Sequence, residues 1–123
     1  MRRDLDIVTN EFNAAPMVLV SNLSERTRVR FLAVRLIGTS SNRDGLGATV
    51  KVIAGGSTYT RVMDGSSGYL SHGVYPLYFG LGDAGTVEGV EVLWPSGRRQ
   101  AVPAPIAMNS TIEIREPPAA GAR

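Results

Sequence analysis

Apolar residues recur at every second position through most of the chain. Leu32, Val34 and Leu36 alternate with Ala33, Arg35 and Ile37, and Val50 and Val52 alternate with Lys51 and Ile53. The same spacing returns in Leu77, Phe79 and Leu81, in Val90, Val92 and Trp94, and in Ile112 and Ile114. A period of two lays each apolar row on one face of a strand. Turn-forming runs separate the rows: Arg43-Asp44-Gly45, Ala54-Gly55-Gly56-Ser57, Asp64-Gly65-Ser66-Ser67-Gly68 and Pro95-Ser96-Gly97. The best helical window, Phe12 to Val20, contains Pro16 and has weak helical periodicity. Short strands with such turns predict an all-β fold, an antiparallel β-sandwich or partly closed barrel of short strands.

The two ends differ from the middle. Asp4-Leu5-Asp6-Ile7-Val8-Thr9-Asn10 reads as the end of a loop followed by a buried strand, with Met17-Val18-Leu19-Val20 as its partner. An apolar strand pair is costly to expose and tends to find another edge. Asp6 to Val20 is therefore expected to pack on the domain itself or on a second chain, giving a homodimer through the N-terminal strands. Residues 1–24 are set apart as linking strands, 25–116 form the β domain, and the Pro- and Ala-rich 117–123 reads as a disordered tail.

Composition narrows the picture. At 123 residues the chain suits one domain with one core, and 43% hydrophobic with 20% charged residues argues against disorder. No apolar run approaches the ~18 residues of a membrane span, so no membrane insertion is expected. No signal peptide follows Met1-Arg2-Arg3, which leaves the compartment open. The absence of cysteine excludes disulfides, Cys-ligated zinc and thiol catalysis. Net charge is only +2, and every basic residue but Lys51 is arginine. Nucleic acid is not an expected partner.

Four pieces carry a resemblance when taken in order. They are Gly38-Thr39-Ser40-Ser41-Asn42-Arg43-Asp44-Gly45-Leu46-Gly47, Gly65-Ser66-Ser67-Gly68-Tyr69-Leu70-Ser71, Phe79-Gly80-Leu81-Gly82-Asp83 and Val92-Leu93-Trp94-Pro95-Ser96-Gly97. Together they resemble the ASPIC and UnbV C-terminal domain family, over roughly Arg28 to Glu116. Residues 1–24 look like the last piece of an FG-GAP/VCBS propeller repeat, the usual neighbour of that family. Those repeats hold calcium in an Asp-rich loop ending Asp-Leu-Asp. Only Asp4 and Asp6 of such a site are present here, so calcium is expected in a parent protein and not in this chain. The resemblance implies an extracellular, cell-surface or periplasmic multidomain protein and no catalytic mechanism.

The remaining chemistry is sparse. Gly80-Leu81-Gly82-Asp83-Ala84-Gly85 matches G-x-G-x-x-G, but strand-spaced valines follow it and no helix, so it reads as a turn and no cofactor is expected. His72 is the only histidine, and Ser66, Ser67 and Ser71 nearby lack a nucleophile-elbow pattern. Arg26, Arg28 and Arg30 would share a strand face, as a solvated edge or a phosphate- or sulfate-binding row. Trp94 has core parity. Asn22-Leu23-Ser24 and Asn109-Ser110-Thr111 are sequons.

These readings favour a non-catalytic module that binds protein or glycan at the C-terminal end of an exported repeat protein. The alternatives are a carbohydrate-active or other hydrolytic domain, and a purely structural propeller cap. Asp44, Asp64, Asp83 and Glu88 lie in separate turns and give no signal of paired carboxylates. The expected binding surface comprises Asn42, Arg43 and Asp44 in one loop, Tyr69, Ser71 and His72 in another, and Asp83.

Overall fold

The computed structural model describes residues 4–66, 68, 70–74 and 76–119. The strands in chain order are β1 (Ile7–Thr9), β2 (Met17–Leu19), β3 (Phe31–Ile37), β4 (Thr49–Ala54), β5 (Ser57–Val62), β6 (Leu77–Gly80), β7 (Val87–Leu93), β8 (Arg99–Ile106) and β9 (Ser110–Arg115). One short helix, α1 (Leu23–Arg26), stands between β2 and β3. The expectation that Arg26, Arg28 and Arg30 share a strand face is therefore corrected. Arg26 ends the helix, and Arg28 and Arg30 lie in the irregular segment before β3.

A three-stranded sheet ordered β6-β3-β9 faces a four-stranded sheet ordered β5-β4-β7-β8. The period-two rows become the core between them. Leu32, Val34, Leu36, Val50, Val52, Val90, Val92 and Trp94 are buried in one cluster. Neither sheet closes into a barrel. Side chains bridge the two seams instead. At one, the Arg61 guanidinium donates to the Tyr78 carbonyl at 2.6 Å. At the other, the Trp94 indole donates to Gln100 Oε1 at 2.8 Å, while Gln100 Nε2 donates to the Arg115 carbonyl at 3.1 Å.

One pair departs from the antiparallel pattern: β9 runs parallel to β3, with Leu32 opposite Ser110 and Ile37 opposite Arg115. The chain leaves β3, builds all of the second sheet, and returns beside β3 from the end where β3 began. Such a crossover is what parallel pairing requires. Asn109 closes the return. Its side chain accepts from Phe31 N at 2.9 Å and its N–H donates to the Phe31 carbonyl at 2.7 Å, so this asparagine is spent inside the fold.

The registers assign every connection to one of two ends. β3 finishes, β4 begins, β5 finishes and β7 finishes at the same end. Segments 38–48, 63–76 and 94–98, together with Glu116, therefore share what we call the loop end. The Gly55-Gly56 turn, residues 81–86, residues 107–109 and the segment leading from α1 lie at the opposite end.

Outside the sandwich, β1 and β2 pair antiparallel with Ile7 opposite Leu19 and Thr9 opposite Met17, as the sequence implies. Every residue of both strands is exposed. Of the two covers expected for this segment, packing on its own sandwich is thus not adopted. Asp6 Oδ1 accepts from Ser21 N at 2.9 Å, and the Asp4 carboxylate accepts from Ser24 N at 3.0 Å and from Ser24 Oγ at 2.8 Å. These two acids fasten the base of the hairpin to the start of α1. At the other terminus, Arg98 Nη1 donates to the carbonyls of Pro117 and Pro118 at 3.2 and 2.6 Å. The held chain therefore extends past Glu116, into the stretch expected to be a disordered tail.

Candidate binding surface

The loop end is organised around a carboxylate that sequence reasoning passed over. Glu116 has no solvent exposure. Its Oε2 accepts from Thr39 N at 2.9 Å and Ser41 N at 2.8 Å. Its Oε1 accepts from Ser41 Oγ at 3.0 Å and Ser96 Oγ at 2.6 Å. One side chain thus ties the end of β9 to the loop after β3 and to the turn after β7. Burial acts to raise its pKa. The hydrogen bonds from Ser96, Ser41 and Thr39 outweigh that and lower it from 4.5 to about 2, so the group is an anion at neutral pH. Oxygens that each accept two donors fit the ionised form, because a carboxylic proton would displace one of them.

Two glycines fit the 38–48 loop to this frame. A Cβ on Gly38 would collide with the Asn42 carbonyl oxygen. Gly45 has φ +69 and packs beneath Leu36, where a Cβ would lie 2.9 Å from the leucine Cβ. Asn42 spends its whole amide inside the same loop: Oδ1 accepts from Leu46 N at 2.7 Å and Nδ2 donates to the Leu46 carbonyl at 2.8 Å. Asn42 is thus part of the frame, while Arg43 and Asp44 beside it are exposed.

The neighbouring loop is joined by Gly47 N to the Met63 carbonyl at 2.7 Å and Gly73 N to the Gly65 carbonyl at 2.9 Å. It presents Ser71 and His72 to solvent. Tyr69 and Ser67 lie outside the described residues. Leu70 takes φ +55 and is 88% exposed, and Val74 and Leu46 are exposed nearby in the same pair of loops. A groove of about 210 Å³ runs along the β5–β6 seam beneath this loop, between Arg61, Asp64, Gly73 and Tyr78. Tyr78 is 39% exposed there. Neither Arg61 nor Tyr78 was singled out from sequence, since the register of two separate sheets decides that they meet.

Asp83 is not part of this surface. It sits in the turn after β6, at the opposite end of the sandwich, where Ala84 N donates to the Leu81 carbonyl at 3.0 Å. The G-x-G-x-x-G run is that turn, and β7 follows it directly. Glu88 is at the same far end and accepts from Gly56 N at 3.1 Å. The acids weighed for hydrolysis are therefore split, with Asp44 and Asp64 at one end and Asp83 and Glu88 at the other.

A second groove, about 280 Å³, lies on the outward face of the four-stranded sheet among Lys51, Glu91 and Arg99. It touches none of the loops described above. Among the described residues no cluster of three or more His, Asp or Glu side chains is placed to hold a metal ion, and no helix is long and apolar enough to cross a membrane.

The family model described as ASPIC and UnbV matches residues 38–121. No curated protein matches the chain. The matched span starts at the collision-prone Gly38 and includes all the donors to Glu116.

Proposed function

We propose, from the premise that the chain belongs to the ASPIC and UnbV family, that it is a non-catalytic interaction module whose loop end recognises a protein surface. The observation that carries this reading is the set of exposed apolar side chains around the seam groove. Leu46, Leu70, Val74 and Tyr78 stand exposed there, with Arg43, Asp44, Ser71 and His72 in the same loops. Apolar anchors inside a polar rim are the usual anatomy of a protein-binding patch. The Glu116 staple and the glycine turns hold the frame, so the exposed groups are presented from a rigid base. Leu70 in the left-handed region is a conformation that costs free energy and displays the side chain outward.

In the parent architecture this module caps the C-terminal end of an exported or cell-surface repeat protein. Residues 1–24, with Asp4-Leu5-Asp6, are the end of an FG-GAP/VCBS repeat. Calcium belongs to the rest of that repeat. Glycan recognition is the competing reading, with Arg43 and Arg61 available to a carboxylate or sulfate. Hydrolysis is disfavoured by the division of the acids between the two ends.

The test is a selection of random peptides on the immobilised 123-residue chain, run beside a panel of neutral, acidic and sulfated glycans. Peptides carrying apolar and acidic residues should be enriched. Their binding should be lost in Leu70→Lys and Arg43→Ala, kept in Asp83→Ala, and melting should be unchanged in all three. Capture of glycans alone, or peptide binding indifferent to Leu70→Lys, would overturn the reading.

A further inference from the structure

The β1–β2 hairpin leaves more apolar surface in water than any other part of the described chain. Nine large apolar side chains between Leu5 and Leu23 are exposed, Phe12 at 92%. The register places Ile7, Leu19 and Met17 on one face and Val8 and Val18 on the other, so both faces are apolar. A lone two-stranded hairpin is marginal in water. Its outer edges carry unpaired backbone groups. On the β2 side the edge is the uncharged run Met17-Val18-Leu19-Val20, with none of the charges that usually guard an edge strand.

We propose that this hairpin is a self-association element, in which the β2 edges of two chains pair antiparallel about a two-fold axis to make one four-stranded sheet. The inference does not rest on the loop-end reading above. Three observations select a second copy as the occupant. First, a two-fold arrangement with Val18 on the axis sets the tip of each hairpin against the base of the other. The exposed Phe12 at the tip then meets Leu5 and Leu23 at the base. Second, charge matches in the same arrangement. The tip carries Glu11, and the chain leaving the base carries Arg26, Arg28 and Arg30. Asp4 and Asp6, the other acids of the segment, are held at the base by Ser24 and Ser21. Third, the area is sufficient. At roughly 100 Å² per side chain, nine exposed apolar groups offer about 900 Å², against the ~800 Å² each partner gives to a stable interface.

The test is sedimentation velocity on the full chain across the micromolar range. Twice the 13.1 kDa chain mass is expected at the upper end, falling to the monomer on dilution. The Val18→Lys/Leu19→Lys double variant should be monomeric throughout and melt like the parent, because neither side chain reaches the sandwich core. Glu11→Arg should weaken the dimer, more so at low salt. The chain has no cysteine, so Val18→Cys is a clean reporter and should cross-link to its own copy under mild oxidation. A parent chain that stays monomeric overturns the proposal. So does a dimer that survives the double lysine variant, or one that leaves Val18→Cys uncross-linked.

Discussion

Replacing Glu116 by Gln should destabilise the domain by about 2 kcal/mol at neutral pH and remove part of its sensitivity to acid. The size follows from the staple. The carboxyl titrates at 4.5 when unconstrained and at about 2 in the folded protein. At ~1.4 kcal/mol per unit, that difference is worth about 3 kcal/mol, which we discount to about 2 because the group lies only one layer beneath the surface. The folded pKa is depressed, so the contribution is fully present above 4.5. It is lost as pH falls through that value towards about 2, where the native carboxylate also takes its proton. Glutamine keeps one oxygen for Thr39 N and Ser41 N. Its amide must then face the Ser41 and Ser96 hydroxyls, which can turn to accept but gain no charge assistance. Alanine leaves both backbone N–H groups without their acceptor and should cost more, about 3 kcal/mol. Denaturant melts of the parent and Glu116→Gln at a series of pH values are the assay. The gap between them should be widest near neutrality, equivalent to a melting shift of roughly 10 °C, and should close as pH falls below 4. A constant gap across that range, or none at any pH, would refute the assignment of Glu116 as an ionised staple.

Gly45→Ala should cost about 2 kcal/mol in denaturant melts, from the positive φ and the clash with Leu36 together. Gln100→Ala should cost about 1–2 kcal/mol and alter Trp94 fluorescence, because the amide that joins the indole to the β9 backbone is gone. Adding calcium should leave the melting temperature unchanged, since Asp4 and Asp6 already serve Ser24 and Ser21 and are too few for a cation that takes six to eight oxygens; micromolar affinity by calorimetry would contradict this. Arg43→Ala and His72→Ala should each leave melting within about 0.5 kcal/mol of the parent, as exposed side chains away from the frame.

The strands were readable because a half-buried strand writes its burial into the sequence at every second residue. Val50, Val52, Val90, Val92 and Trp94 announce the core that the fold builds, and Asp-Gly, Gly-Gly and Pro-Ser-Gly runs announce the turns between them. The β1–β2 pairing was readable for the same reason. What local pattern does not carry is which turns share an end. Asp83 and Asn42–Asp44 look alike as polar loop positions, and only the registers of β3, β6 and β7 send them to opposite ends. Glu116 was missed because an acid before two prolines reads as the start of a tail. Its partners were in view as Thr39, Ser41 and Ser96, hydroxyl-bearing turn residues crowded by Gly38 and Gly97, with no acid of their own to bond. Arg26, Arg28 and Arg30 kept strand spacing, yet α1 interrupts them, since a four-residue helix is too short to show a period. The exposed Leu70 and Val74 sit in a loop, where neither period applies.

The loop-end reading stands on one map. The ¹⁵N-labelled 123-residue chain is titrated with an enriched peptide, and amide shifts are followed residue by residue. The account predicts changes confined to the 43–46, 61–65 and 70–78 segments, with the Gly55-Gly56 turn, Asp83 and the β1–β2 hairpin unmoved. Changes centred on Lys51, Glu91 and Arg99 of the outer sheet face, or on the end that holds Asp83, would contradict it.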